Sequence, residues 1–204
     1  MKKVFSLFTV LTILFALLSP ETKAATVNTK KSRVTYTLKD AKGVSYKVYV
    51  IGTGEKKARG DINSKYEWAW PYAGIDKGDS IYNADYKIYL QKVGAKTISY
   101  TGYQLKDYVY NFTQKMIYEI NSKYKGQPDL FGVAFASGSN HDGADLFIVK
   151  KGKLTRVKND VYYNQGIKPK NIGKNKFRVS YYNYLQGKDQ SKTFILDPSK
   201  GTFK

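Results

Sequence analysis

In 204 residues the chain has no cysteine, one histidine, two tryptophans, two methionines and five prolines. Without cysteine there is no disulfide framework, no thiolate metal site, no cysteine nucleophile and no lipid-linked cysteine. A single histidine, His141, falls short of the three or four His, Cys or carboxylate ligands that a zinc centre takes. Acids are scarce too: 16 Asp+Glu stand against 35 Lys+Arg, a formal net charge of +19. After residue 24 the only glutamates are Glu55, Glu67 and Glu119. Paired carboxylates of the kind that hydrolyse glycosides therefore have few members to draw on. No second long apolar run follows the first 18 residues.

What is present begins with that first run. Lys2 and Lys3 precede an uncharged stretch from Val4 to Leu18, Ser19-Pro20 breaks it, and Thr22-Lys23-Ala24 offers small residues at the positions a signal peptidase reads. Residues 1–24 are expected to be a signal peptide cleaved after Ala24, because the apolar run is shorter than the roughly 20 residues a spanning helix needs. The expected location is secreted, extracellular or associated with the cell wall. Lysine outnumbers arginine 31 to 4, which together with the short lysine-rich leader and the missing cysteine suits a Gram-positive source. Removing the leader still leaves a charge of +17, so the charge belongs to the exported chain.

Residues 25–32 (ATVNTKKS) are polar and basic and read as a flexible arm. From 33 to 204 one β-rich domain is expected. Val34–Leu38 and Val44–Ile51 alternate apolar and polar residues around an Asp-Ala-Lys-Gly turn. Gly52–Lys65 reads as a loop. Ala84–Leu90, Thr97–Thr101, Tyr108–Tyr110 and Lys115–Ile120 read as strands, as do Leu130–Phe135, Asp145–Lys150, Leu154–Val157, Phe177–Leu185 and Thr193–Leu196. No window of 12 residues keeps a helical period. The expected class is all-β: antiparallel sheets with little helix, as a sandwich or a propeller-like repeat pair. Asp85–Thr97 lines up with Asp145–Thr155 as aspartate, apolar strand, Lys/Gly turn, strand, suggesting a weak repeat near 85–120 and 145–204.

Three segments attract functional readings. Ser137-Gly-Ser-Asn-His-Asp-Gly-Ala-Asp145 holds the lone histidine beside serines and aspartates, but no strand-to-helix elbow is there to expose a nucleophile. Asn140, Asp142 and Gly143, with Asp145 beyond, place oxygen ligands at alternate positions before a glycine, as a calcium loop does. Over these nine residues the segment resembles the calcium loops of FG-GAP propeller repeats, whose pattern is Asp-x-Asn-x-Asp-Gly followed by an apolar strand. Gly138 stands where the first ligand would, and no cofactor is expected. The competing reading is a hairpin loop rich in Asx and Gly turns.

Trp68, Trp70 and Tyr72 share one face if their segment is extended, a ring platform for a sugar or an apolar chain. The alternative buries both tryptophans in the core, where large aromatics usually lie. The third segment is a lysine field from 150 to 178, with Lys168, Lys170, Lys174, Lys176 and Arg178 at its end. Export and the choice of lysine over arginine argue against nucleic acid as the physiological partner. Outside a Gram-positive cell the abundant polyanions are wall polymers and anionic lipid heads, and charge alone would concentrate this chain there.

The sequence thus favours a secreted, non-enzymatic, basic β protein that associates with the cell envelope or an extracellular anionic polymer. Its contact is with an anionic wall polymer or glycan, or peripherally with the membrane, and its ligand-binding residues are the five cations and three rings just named. Two other classes stay open. One is a secreted glycan hydrolase with Glu67 or the Asp142/Asp145 loop near its site. The other is a protein-binding module, an inhibitor or toxin-like factor with an acidic partner.

Overall fold

Alternation in a strand assigns one face to a core and the other to water, whereas an unbroken apolar run needs a core on both sides. This chain contains both patterns. Val34-Thr-Tyr-Thr-Leu38 and Tyr46-Lys-Val48 alternate; Leu130-Phe-Gly-Val-Ala-Phe135 and Ala144-Asp-Leu-Phe-Ile-Val149 are nearly continuous. The computed structural model of the protein describes residues 27–71, 74–136, 142–158, 161–162, 168–183 and 186–204, and its layers follow from that difference.

The fold is all-β and antiparallel. The first sheet is a meander of β1 (Ser32–Lys39), β2 (Ser45–Arg59), β3 (Ser80–Lys92) and β4 (Ser99–Asn111). The second takes β5 (Ile117–Ile120), β6 (Leu130–Ala136), β7 (Asp142–Lys150) and β8 (Lys153–Arg156) in the same order. A short β9 (Val161–Tyr162) pairs with the start of β7, beyond the stretch that β8 covers. The third sheet is β10 (Lys170–Gly173), β11 (Lys176–Asn183), β12 (Lys188–Asp197) and β13 (Thr202–Phe203).

The second sheet is the middle layer. Ile117, Phe131, Val133, Phe147 and Val149 face the first sheet and pack with Leu38, Val48, Val50, Tyr86 and Ile88. Their neighbours Tyr118, Leu130, Ala144, Leu146 and Ile148 face the other way, against Phe177, Val179, Phe194, Leu196 and Phe203 of the third. Period-2 geometry makes this division automatic, since successive side chains leave a strand on opposite faces. Each outer sheet therefore needs one apolar face, and the middle one needs two.

Three buried or half-buried polar side chains tie the layers at one end. Asp129 accepts from the Lys39 N–H on Oδ2 (2.7 Å) and from the Ser122 N–H on Oδ1 (2.6 Å). The Asn175 N–H donates to Gln127 Oε1 (2.5 Å), fastening the third sheet to the same loop. Tyr36, whose hydroxyl donates to the Ile117 carbonyl (2.8 Å), fastens the first.

Several local expectations change. Gly52–Lys65 is not a loop throughout, because β2 runs on to Arg59 across a bulge between Thr53 and Lys56. The bulge brings Glu55 inward, where it ion-pairs with Arg33 and accepts from the Tyr86 hydroxyl (2.9 Å). The Arg33 guanidinium in turn lies 3.9 Å from the Tyr82 ring centroid. The two short strands expected at 97–101 and 108–110 are one bulged strand, β4. The strand expected over Lys115–Ile120 is shorter, Ile117–Ile120. Of the expected arm, Thr29–Lys31 forms a 3-10 turn capped by Asn28, and Ser32 already belongs to β1.

The architecture holds three four-stranded meanders rather than a pair. Asp85–Thr97 covers most of the third strand of the first sheet and the turn after it. Asp145–Thr155 covers most of the third strand of the second sheet, its turn and most of β8.

Gly132 marks how tightly the middle sheet is packed. It pairs with Tyr118 across β5 and β6, and a Cβ added there would overlap the tyrosine ring. Gly132→Ala is expected to cost about 1–3 kcal/mol by overpacking. Urea unfolding should show a lower midpoint at an unchanged slope.

Candidate functional site

The five cations at 168–178 do not form one field. β11 alternates, so Phe177 and Val179 enter the core while Lys176 and Arg178 stand on the outer, solvent face of the third sheet. Lys170 on β10 sits directly opposite Arg178 and joins that face. Ile172, Ile195 and Tyr182 are exposed on the third sheet as well. Lys174 lies at the β10–β11 turn, away from this group. Lys168 is half-buried, with its amine 5.0 Å from the Tyr118 ring centroid. Burial, and secondarily Lys115, lower its pKa.

The aromatic segment is neither a flat platform nor core. Glu67–Ala69 closes a 3-10 turn, which rotates the backbone by about a third of a turn per residue. Trp68 and Trp70 therefore do not project from one extended face, and Tyr72 lies outside the described residues. Trp68 is half-buried and stacks on Tyr66, with ring centroids 4.8 Å apart and planes 16° from parallel. The amines of Lys65 and Lys56 lie 5.1 and 5.9 Å from the Tyr66 ring centroid. Trp70 is also half-buried, and its Nε1–H donates to the Ser64 carbonyl (2.9 Å). The residue that fills the core here is Ala69.

Of the calcium-like segment, Asn140 and His141 fall outside the described residues, and Asp142 opens β7. Asp145 is on β7 and ion-paired with the Arg156 guanidinium of β8. A side-chain cation thus already stands at that carboxylate. Among the described residues no three His, Asp or Glu side chains gather as a metal site.

A feature that strand-by-strand reading missed lies at the end of the layers tied by Asp129 and Gln127. Five turns converge there around an open groove of about 970 Å³. The β1–β2 turn supplies Asp40, Ala41 and Lys42, with Val44 and Tyr46 behind it. The β5–β6 loop supplies Gly126 and Pro128. The β7–β8 hairpin gives Lys150, Lys151 and Gly152 above Ile148 and Val149. Lys174 and Asn175 come from the β10–β11 turn, and Asp197, Pro198 and Ser199 from the β12–β13 turn. In each turn a lysine adjoins a glycine: 42–43, 125–126, 151–152, 173–174 and 200–201. That recurring pair is the trace in the sequence. Gly152 (φ +75°) shows its conformational reason, a left-handed turn position that most side chains avoid.

Both groove carboxylates are occupied by their own turns. Asp40 Oδ1 accepts from the N–H groups of Lys42 and Val44 (2.8 and 2.9 Å). Asp197 Oδ1 accepts from the Ser199 hydroxyl and from the N–H groups of Ser199 and Lys200. The Ser199 hydroxyl chiefly lowers the Asp197 pKa. At Asp197 a lowered pKa is the opposite of what a general acid needs.

A second missed feature is a row of three tyrosines on the outer face of the first sheet. Tyr49 pairs across to Tyr89 and Tyr89 to Tyr100, beside Lys47 and Lys87. The Tyr49 hydroxyl donates to Gln91 Oε1 (2.7 Å), and the Tyr89 and Tyr100 ring centroids are 5.6 Å apart.

The chain was compared with protein-family models, with curated proteins and with solved structures, and it matches none of them. Its function therefore rests on its own geometry. No helix among the described residues is long and apolar enough to cross a membrane.

Among the described residues Glu119 has a raised carboxyl pKa, and it does not line the groove. Burial is the main cause, with Asp129 adding to it, while Asn121 and the Thr37 backbone partly offset it. Its Oε2 is sealed from water without a hydrogen-bond partner. The unfolded chain releases this proton first, so stability falls as pH rises from the ordinary glutamate range through the raised native value. Glu119→Gln is expected to raise the melting temperature at about pH 7 and to lose that advantage below about pH 4. Thermal melts at the two pH values check this.

Proposed function

We propose that this protein is secreted and, without catalysis, associates through its lysines with an anionic polymer of the cell envelope. One observation carries the proposal. Lys170 and Arg178 stand directly opposite on neighbouring strands, Lys176 is two residues along, and Thr193 and Ile195 face them from β12. Like charges directly opposite in a sheet destabilise it by a few tenths of a kcal/mol to about 1 kcal/mol. A repeated anion laid across this face removes that repulsion. Local conflicts of this type are expected where a surface serves binding rather than stability.

The rest of the charge distribution points the same way. Among the described residues the ion pairs are Arg33–Glu55 and Arg156–Asp145, and no lysine joins one. Asp40, Asp129 and Asp197 accept hydrogen bonds from the fold itself. The lysines are thus left to act on the outside, where a net positive field raises local polyanion concentration and speeds encounter. Their energy is individually small and strongly screened, so avidity along a polymer supplies the affinity.

Retention of the mature protein on purified Gram-positive walls, with and without teichoic acid, tests this between about 50 and 500 mM salt. Binding should require the acid polymer and collapse as salt rises. The triple variant Lys170→Gln/Lys176→Gln/Arg178→Gln should bind at least tenfold more weakly with a shallower salt dependence, while its melting temperature at low salt is unchanged or higher. Salt-resistant binding to walls stripped of teichoic acid, or a triple variant that binds as well as the parent, would contradict the proposal.

A further inference from the structure

The groove at the converging turns differs in character from the outer face of the third sheet. Val44 and the Tyr46 ring form its apolar floor, and Pro128 and Pro198 border the space elsewhere, while Ile148 and Val149 behind them are closed off in the cores of the two layers. Its rim carries Lys42, Lys150, Lys151 and Lys174 from three separate turns. At about 970 Å³ it reaches the upper end of the range for small-molecule sites.

The rim is net cationic: four lysines line it against two carboxylates, Asp40 and Asp197, each of which gives one oxygen to the N–H groups of its own turn. No lysine of the rim is ion-paired with a described carboxylate. An apolar floor and a cationic rim describe a ligand in two parts: a chain to lie on the floor and an anionic group for the lysines.

We propose that this groove binds a single-chain lipid with a phosphate headgroup, the chain lying over Val44 and Tyr46 and the phosphate held among Lys42, Lys151 and Lys174. A polymer strand fits this site less well. Its repeated charges would cross the apolar floor, where nothing pairs with them and desolvation is costly. Binding in the groove is independent of the charged face on the third sheet, and either holds if the other fails.

Isothermal titration of the mature full-length chain at about 150 mM salt tests the proposal with inorganic phosphate, butyl phosphate and octyl phosphate, all below micelle formation. Each buried methylene is worth about fourfold in affinity. Octyl phosphate should therefore bind one-to-one and at least tenfold tighter than butyl phosphate, with inorganic phosphate weaker than both. Lys42→Gln/Lys151→Gln/Lys174→Gln should weaken octyl phosphate at least tenfold, and Lys170→Gln/Lys176→Gln/Arg178→Gln should leave it unchanged. The groove lysines are exposed or half-buried tips of turns, and an unchanged melting temperature for the first triple variant verifies that it folds. Equal affinity for the three phosphates, multiple equivalent sites, or a first triple variant that binds octyl phosphate like the parent would overturn it.

Discussion

The structure depends on one constraint: a central sheet that must bury both of its faces. Phe131, Val133, Phe147 and Val149 cannot be covered by the same layer as Leu130, Leu146 and Ile148, because alternate residues leave a strand on opposite sides. The chain therefore supplies one four-stranded meander before the central sheet and one after it. The long pairing of β2 with β3 and of β11 with β12 builds two covers, each burying its inner face alone. Gly132 and Gly143 leave room for Tyr118 and Phe135, whose rings would otherwise collide with their neighbours.

That stacking also decides where charge is put. Inner faces have no place for lysine, and acids serve bulges, turns and loop ties, where Glu55, Asp40, Asp129 and Asp197 accept hydrogen bonds from the fold. What remains for the lysines is the turns and the outer faces. Stacking meanders in a common orientation brings alternate turns of all three sheets to one end, so a lysine beside a glycine in each turn becomes a basic rim. On the outer face of the third sheet the same excess puts Lys170 across from Arg178. The surface chemistry is thus a consequence of layering combined with a shortage of acids. Association with an anionic partner is the function we propose for this arrangement.

Much of the strand content was legible because period-2 alternation is a local signal. Val34–Leu38 and Val44–Ile51 lie within β1 and β2, apart from Val44 just ahead of β2. The two apolar runs at 130–135 and 144–149 were readable as strands, but which residue faces which layer depends on partners far along the chain. β2 was cut short because Lys56, Lys57 and Arg59 look like loop residues, whereas they are exposed edge positions of a strand bent by a bulge. The tryptophans misled in both directions: a 3-10 turn broke their alignment, and a peripheral loop rather than the core held them. The lysines of 168–178 are close in sequence but divide among a turn, a sheet face and a half-buried contact with Tyr118. The grouping of Lys174 with Lys42, from the other end of the chain, is a tertiary fact that no local pattern encodes.

Amide hydrogen exchange on the whole chain tests this layered account most directly. If the middle sheet is covered on both faces, the amides of 130–135 and 144–149 open only with global unfolding and exchange slowest of all. Those of β1, β4 and β12, each with one face in water, exchange faster. Exchange in 144–149 as fast as in β12 would contradict the account, since it would mean that one face of the central sheet is open to solvent.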